Sequence, residues 1–251
     1  MNKSNLAKQL RKELLEDFQN GNRKGLYAKT QKMMAYNSNK IEGSTLTSEQ
    51  TASLFDTGSL FADSDTVYRA KDIEEMTGHF SMFNYMLKTI NDTLSEDMIK
   101  QFHYHLKAGV FEDMANGYLV GQYKNRANQV SDIETSLPSE VESNMYKLLN
   151  GYLNVEHVKI DDILMFHADF EQIHPFQDGN GRVGRMIMFR ECLVHDIIPV
   201  IIKDETKLKY YHALHQLQIE KNISPFMKYA EEQQQSYFKE INRYIDIHLE
   251  R

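Results

Sequence analysis

Apolar residues recur at three- and four-residue steps along almost the whole chain, and this period limits the fold more than any other feature. Leu6, Leu10, Leu14 and Phe18 follow it, as do Ile73, Met76, Phe80, Phe83 and Leu87, then Ile160, Ile163, Leu164, Phe170 and Ile173, and finally Phe226, Ala230, Tyr237, Ile241 and Ile245. Such spacing lines one face of a helix, whereas a half-buried strand alternates every second residue. With 4 Pro and 12 Gly in 251 residues, the chain also lacks the punctuation of a loop-rich or all-β protein. The expectation is an all-α fold of roughly eight or nine helices. Residues 109 to 138 lose the helical period, and there Leu119 to Leu137, with Gly121, Asn125, Asn128, Val130, Ser131 and Ile133, is compatible with a small β-hairpin.

End signals divide the pattern. A helix from Leu26 stops at Gly43, a residue suited to the left-handed position after a helix. Thr47 and Gln50 have capping-box spacing, Gly58 closes the short helix they open, and a longer helix spans roughly Val67 to Ile90. Ser95 caps a helix with Glu96 and Asp97 in its first turn, and Ser139 with Glu142 forms a second capping-box pattern. Pro175 ends the helix that begins near Ile160, because the residue before a proline is pushed out of the helical region. A further helix runs from about Glu205 to Lys221, and Ser224-Pro225 opens the last one, which continues to Leu249.

Between two of these helices lies His174-Pro175-Phe176-Gln177-Asp178-Gly179-Asn180-Gly181-Arg182-Val183-Gly184-Arg185, where a proton carrier, a carboxylate, glycines and two arginines are concentrated. With residues 179 to 181 as the loop, the helix that follows aims its free first-turn N–H groups at that loop and attracts anions there. Arg182 and Arg185 fall in the same first turn, where cations oppose the dipole, and Asp178 supplies one compensating charge for two. A bound polyanion would resolve the conflict, and Gly179 and Gly181 would let the backbone approach it closely. Asp178 is a candidate ligand for a divalent cation shared with phosphate oxygens, and His174 titrates in the range of a general base. Residue chemistry alone thus points to Mg²⁺-assisted phosphoryl or nucleotidyl transfer. Taken singly, each of these residues more often serves structure, since Gly-Asn-Gly is common in turns and His-Pro punctuates helices.

Composition narrows the alternatives. A net charge of −7 provides no general basic field, which argues against nucleic acid as the main partner. Cys192 is the lone cysteine, so no intramolecular disulfide framework exists and a reducing compartment is expected. No stretch of about 18 uncharged apolar residues occurs and no apolar segment follows Lys3, so neither a membrane span nor a secretory leader is expected, and the chain is read as cytoplasmic.

The twelve residues resemble the signature H-P-F-x-D/E-G-N-G-R-x-x-R of the Fic family, matched here at every defined position. Upstream, Ser38-Asn39-Lys40-Ile41-Glu42-Gly43 resembles the inhibitory-helix motif of the same family, although an isolated Glu42 would otherwise read as a solvated surface residue. The resemblance implies a Fic-type helical bundle with a β-hairpin flap that holds a target protein, ATP and Mg²⁺ as cofactors, and transfer of AMP to a Ser, Thr or Tyr hydroxyl. It implies His174 as base, Asp178 at Mg²⁺, Gly179, Asn180 and Gly181 around the phosphates, and Arg182 and Arg185 on the β- and γ-phosphates. Ser38 and Glu42 would restrain the site through Arg185, while Tyr210 and Tyr211 stand where the family places aromatics near adenine. Half-buried core tyrosines are an equal reading of those two. Lys124 stands where the family more usually has arginine in the flap segment.

The implied division is an N-terminal helical region over 1–60 carrying the motif at 38–43, a catalytic core over 61–225, and a C-terminal helix over 226–251. Removal of AMP by the same site through Glu42 is the first alternative. A metal phosphohydrolase built on His167, His195 and Asp196, and a nucleotide-sensing module without catalysis, are the others. The partner implied is a protein bearing a hydroxyl side chain, this chain included; a homo-oligomer is left open, and neither nucleic acid nor membrane is expected.

Overall fold

The structure is a computed structural model describing residues 3–60, 67–130 and 133–246. Ser131 of the expected hairpin and the expected run of the last helix to Leu249 lie outside these residues.

Helices dominate in the expected order: α1 Lys3–Gln19, α2 Leu26–Ile41, α3 Ser48–Thr57, α4 Ala70–Lys88, α5 Glu96–Lys107, α6 Phe111–Ala115, α7 Pro138–Leu153, α8 Ile160–Ile173, α9 Asn180–Val194, α10 Lys207–Glu220 and α11 Ser224–Asp246. Eleven α-helices among the described residues exceed the eight or nine expected. One of the additions is α6, five residues in a segment where no helix was foreseen, too short for a period to show. Between α6 and α7, β1 Gln129–Val130 pairs antiparallel with β2 Ile133–Glu134, Gln129 opposite Glu134.

Caps formed where the local chemistry was complete. Thr47 Oγ1 accepts from Gln50 N at 3.2 Å while Thr47 N donates to Gln50 Oε1 at 2.9 Å, and Gly58 ends α3 at φ 69°. Ser95 Oγ accepts from Met98 N at 3.2 Å. The second expected capping box is displaced: α7 starts at Pro138, and Leu137 N donates to Glu140 Oε2 at 3.0 Å. Proline at the first helical position has its φ already set and no N–H to leave unpaired, so the helix begins there.

One buried cluster runs from Leu10 of α1 to Ile245 of α11, so the helices share a core in which the three sequence segments are continuous. At its centre α9 is buried along its length from Arg182 to Leu193, flanked by α8, α5, α4 and α2. Gly78 permits α4 and α5 to cross closely, because a Cβ there would collide with the Leu106 carbonyl. The residues that form the candidate site lie on α2, α4, α5, α6 and α9 or in the turns that directly follow α2 and α8, and so are held by the core.

Candidate active site

His174 follows the last turn of α8 in the left-handed region, at φ 52°, with its N–H donating to Phe170 O at 2.9 Å. A non-glycine residue rarely adopts this conformation, and Pro175 behind it prevents the helix from continuing. His174 Nδ1 lies 3.3 Å from Glu171 O and donates to it, which leaves Nε2 as the lone-pair nitrogen. Burial, assisted by the charge of Lys124 and opposed by Glu42 and Asp178, lowers the imidazole pKa to about 4, so His174 is neutral at pH 7 and able to accept a proton.

The loop after it is braced from within. Phe176 is fully buried and stacks on His103 at 4.0 Å and 1°. Asn180 Oδ1 accepts from Phe176 N and Asn180 Nδ2 donates to Phe176 O, both at 2.8 Å. His103 reaches the loop too, with Nε2 donating to Asp178 O at 3.1 Å and Nδ1 accepting from Gly121 N at 2.9 Å.

Several expectations change here. Helix α9 begins at Asn180, so the loop is 174–179 and Arg185 lies in the second turn. The Asn180 side chain is spent on Phe176, and the Gly179 N–H donates to Asp178 Oδ1 at 2.7 Å, so neither is directed at a phosphate. Gly179 itself adopts φ 83°, a turn only glycine makes without strain. The two arginines are not left without counter-charge. Arg182, 2% exposed, meets Glu75 Oε2 at 2.6 Å and Asp178 Oδ1 at 3.4 Å. Arg185 Nη2 donates to Glu42 Oε1 at 2.7 Å and to Ser38 O at 3.0 Å, and Arg185 Nε donates to Ser38 Oγ at 3.0 Å.

Glu42 is therefore the anion at this helix end. Its carboxylate fills the space over Gly181, where a Cβ would run into Glu42 Oε1 and stand 2.9 Å from Arg185 Nη1. A carboxylate over a free first turn is favourable for the same reason a phosphate would be. At its own end Glu42 follows the last turn of α2 with Gly43 at φ 89° behind it, so the charge is misplaced locally and satisfied across the fold.

Asp178 is surrounded by cations that sequence reasoning missed. Lys107 Nζ lies 2.8 Å from Asp178 Oδ2, 2.5 Å from Glu75 Oε1 and 2.8 Å from Asp113 Oδ2, and Lys71 Nζ lies 3.8 Å from Asp178 Oδ2. Although burial opposes ionisation, Arg182, Lys107 and Lys71 hold the Asp178 carboxyl well below the usual carboxylate range. It remains one-third exposed, an ionised oxygen donor of the kind hard divalent cations take. Among the described residues no group of three or more His, Cys, Asp or Glu side chains is placed to hold a metal alone. Asp178 thus fits a cation that arrives with phosphate oxygens. No local pattern pointed to Glu75, Lys107 or Asp113, because α4, α5 and α6 meet the loop only in three dimensions.

Tyr210 is buried and bonded through its hydroxyl to His167 Nε2 at 2.8 Å, so it belongs to the core and not to an adenine pocket. Tyr211 is 43% exposed beside it and stays available. His195 ends α9 next to Glu191, at 3.5 Å, at the opposite end of that helix from the loop, while His167 faces Tyr210; the ligands of the phosphohydrolase reading are not assembled.

Residues 93–192 match the family model described as Fic/DOC family. A relative from Culex quinquefasciatus named Protein adenylyltransferase Fic is 27% identical over 198 residues, covering 77% of this chain and 38% of the relative. One of the same name from Drosophila erecta is 28% identical over 198 residues, with 77% and 38% covered. Among solved structures, a Fic domain containing signaling protein from Bacteroides thetaiotaomicron superposes with a TM-score of 0.78 at 24% identity, covering 98% of each chain. Fic-1 from C. elegans superposes with a TM-score of 0.69 at 23% identity, covering 96% of this chain and 72% of that one. The fold is the one those solved structures share, and residues 93–192 are similar to the Fic/DOC family. It spans about four-tenths of the length of those curated relatives. No helix among the described residues is long and apolar enough to cross a membrane.

Proposed function

We propose that this protein transfers AMP from ATP to the hydroxyl of a protein side chain and that Glu42 restrains it. One observation carries the reading: a neutral, half-buried imidazole and an anion seat occupied by the protein's own carboxylate stand beside the same helix end. When Glu42 withdraws, Arg185 and the free N–H groups of the first turn of α9 are released to a terminal phosphate. His174 Nε2 then takes the hydroxyl proton of the target, the hydroxyl oxygen bonds to the α-phosphorus, and the bond from that phosphorus to the bridging oxygen breaks as pyrophosphate leaves. Asp178 would hold Mg²⁺, which when bound supplies charge neutralisation for the phosphates. Arg182, locked between Glu75 and Asp178, acts in this reading by fixing the metal-binding carboxylate.

The hairpin has only two strands, so β-strand addition by an extended target segment is the matching recognition mode. In this reading residues 1–60 contribute the restraint and 61–225 the chemistry, and within 226–251 the described part of α11 braces them. This reading places the reaction in the cytoplasm, and the buried Cys192 thiol, its pKa pushed up to about 12, takes no part in it. The charge of Glu42 also reaches His174, which favours a second use of the same carboxylate in orienting water to remove AMP.

The test is incubation of wild type, Glu42→Gly and His174→Ala with α-labelled or γ-labelled ATP. The α-label alone should enter protein, faster in Glu42→Gly and about 10²–10⁴-fold slower in His174→Ala. Entry of the γ-label, or transfer at the wild-type rate in a folded Glu42→Gly variant, overturns the reading. Loss of AMP from pre-labelled protein, followed in parallel, should require Glu42.

A further inference from the structure

Lys124 is a buried cation that the transfer scheme leaves unused. It is 3% exposed, yet its ammonium donates only to neutral oxygens, Asn128 Oδ1 at 2.5 Å and Thr135 Oγ1 at 3.1 Å. Among the described residues no carboxylate pairs with it, whereas Lys107, Arg182, Arg185 and Arg190 each meet one. An unpaired buried charge is costly, and burial alone lowers the Lys124 pKa to about 8.

The position of this charge gives the cost a purpose. Asn128 precedes β1 and Thr135 follows β2, so one ammonium spans both roots of the hairpin. Thr135 Oγ1 also donates to Asn128 O at 2.7 Å, closing the same junction. This segment is laced to the loop behind the imidazole by one main-chain and one side-chain bond: Lys124 N donates to Pro175 O at 2.8 Å and Asn128 Nδ2 to Phe176 O at 3.0 Å. Lys124 is the cation acting on His174, against Glu42 and Asp178, which act in the opposite direction, and against the Glu171 carbonyl bonded to Nδ1.

We propose that Lys124 is a positioning residue for the transfer reaction: its side chain ties the two roots of the hairpin together, its main chain ties them to the loop carrying His174, and its unpaired charge stands within electrostatic reach of that imidazole. The assignment rests on the AMP-transfer reading, in which the hairpin holds the target and His174 is the base. A carboxylate opposite Lys124 would cancel the field at His174. The neutral partners Asn128 and Thr135 leave it intact while still holding the side chain in place.

The titrations that test this need no transfer activity. In wild type without nucleotide, the Lys124 side-chain ¹³Cε resonance should titrate near 8, apart from the surface lysines at about 10.4. The His174 ring C2–H resonance, followed downward in pH to the onset of acid unfolding, should begin to shift about 0.5 pH or more higher in Lys124→Gln than in wild type, with Lys124→Arg behaving as wild type. In the Glu42→Gly background, Lys124→Gln should also raise the KM for target protein and move the acid limb of transfer upward, and Lys124→Arg should reverse both. Lys124 titrating with the surface lysines, or overlapping His174 curves in all three proteins, overturns the proposal whether or not AMP is transferred.

Discussion

Gly181→Ala isolates the contact between Glu42 and Arg185, because the added methyl group is aimed at one carboxylate. Its carbon would stand 2.9 Å from Arg185 Nη1 and closer still to Glu42 Oε1, so the Glu42 side chain must move off its seat. Breaking a fully buried ion pair costs about 3–5 kcal/mol. Here the Glu42 side chain is 31% exposed and Arg185 keeps two hydrogen bonds to Ser38, which reduces the loss to roughly 1.5–3 kcal/mol. Alanine replacing glycine inside α9 returns about 0.5–1 kcal/mol of backbone entropy. The net expectation is a destabilisation of roughly 1–2 kcal/mol, a fall in Tm of about 2–8 °C for a chain of this length. In Glu42→Gly the pair is already gone, so adding Gly181→Ala should be neutral or stabilising by up to about 1 kcal/mol. Thermal and urea unfolding of wild type, both single variants and the double variant complete the cycle. Equal destabilisation by Gly181→Ala in both backgrounds would refute the argument that Gly181 exists here to seat Glu42.

Three other outcomes follow from the charges. Desolvation, only partly offset by the charge of Arg185, pushes the Glu171 carboxyl up to about 8 from 4.5, so the unfolded chain loses that proton first and stability falls as pH rises from about 4.5 to 8; Glu171→Gln should remove this loss and be more stable than wild type at pH 8 by a few kcal/mol, read from urea midpoints. His79, His103 and His167, lowered by burial to about 3, and His174, lowered to about 4, act in the other window: stability is full above about 6.5 and is lost as pH falls from there toward 4, so Tm should drop steadily below pH 6.5 even while carboxylates remain ionised. Asp178→Ala removes the partner of Lys107 and Arg182 and should cost about 2–4 kcal/mol in addition to any loss of metal-dependent turnover, and an unchanged Tm would show that the surrounding cations do not depend on it.

What the chain encodes locally was readable from it. The apolar period marks α1, α4, α8 and α11 because a helix returns each side chain to the same face every three or four residues, and Gly43, Gly58 and Pro175 end helices through backbone restrictions that do not depend on the rest of the fold. The twelve-residue stretch from His174 to Arg185 was legible because its parts lie within a loop and two helical turns. Its charge balance was legible only in part: the motif resemblance pairs Glu42 with Arg185, as the folded chain does, but from composition and dipole Arg182 called for a bound anion where Glu75 of α4 stands. Lys107 and Asp113 reach Asp178 by packing of α5 and α6, and Tyr210 turns inward to His167, where its spacing on α10 left both faces open. A sequence states which charges a segment carries, but a pairing such as Glu75 with Arg182 is decided by how helices pack, and packing is set by the summed burial of many side chains rather than by either residue.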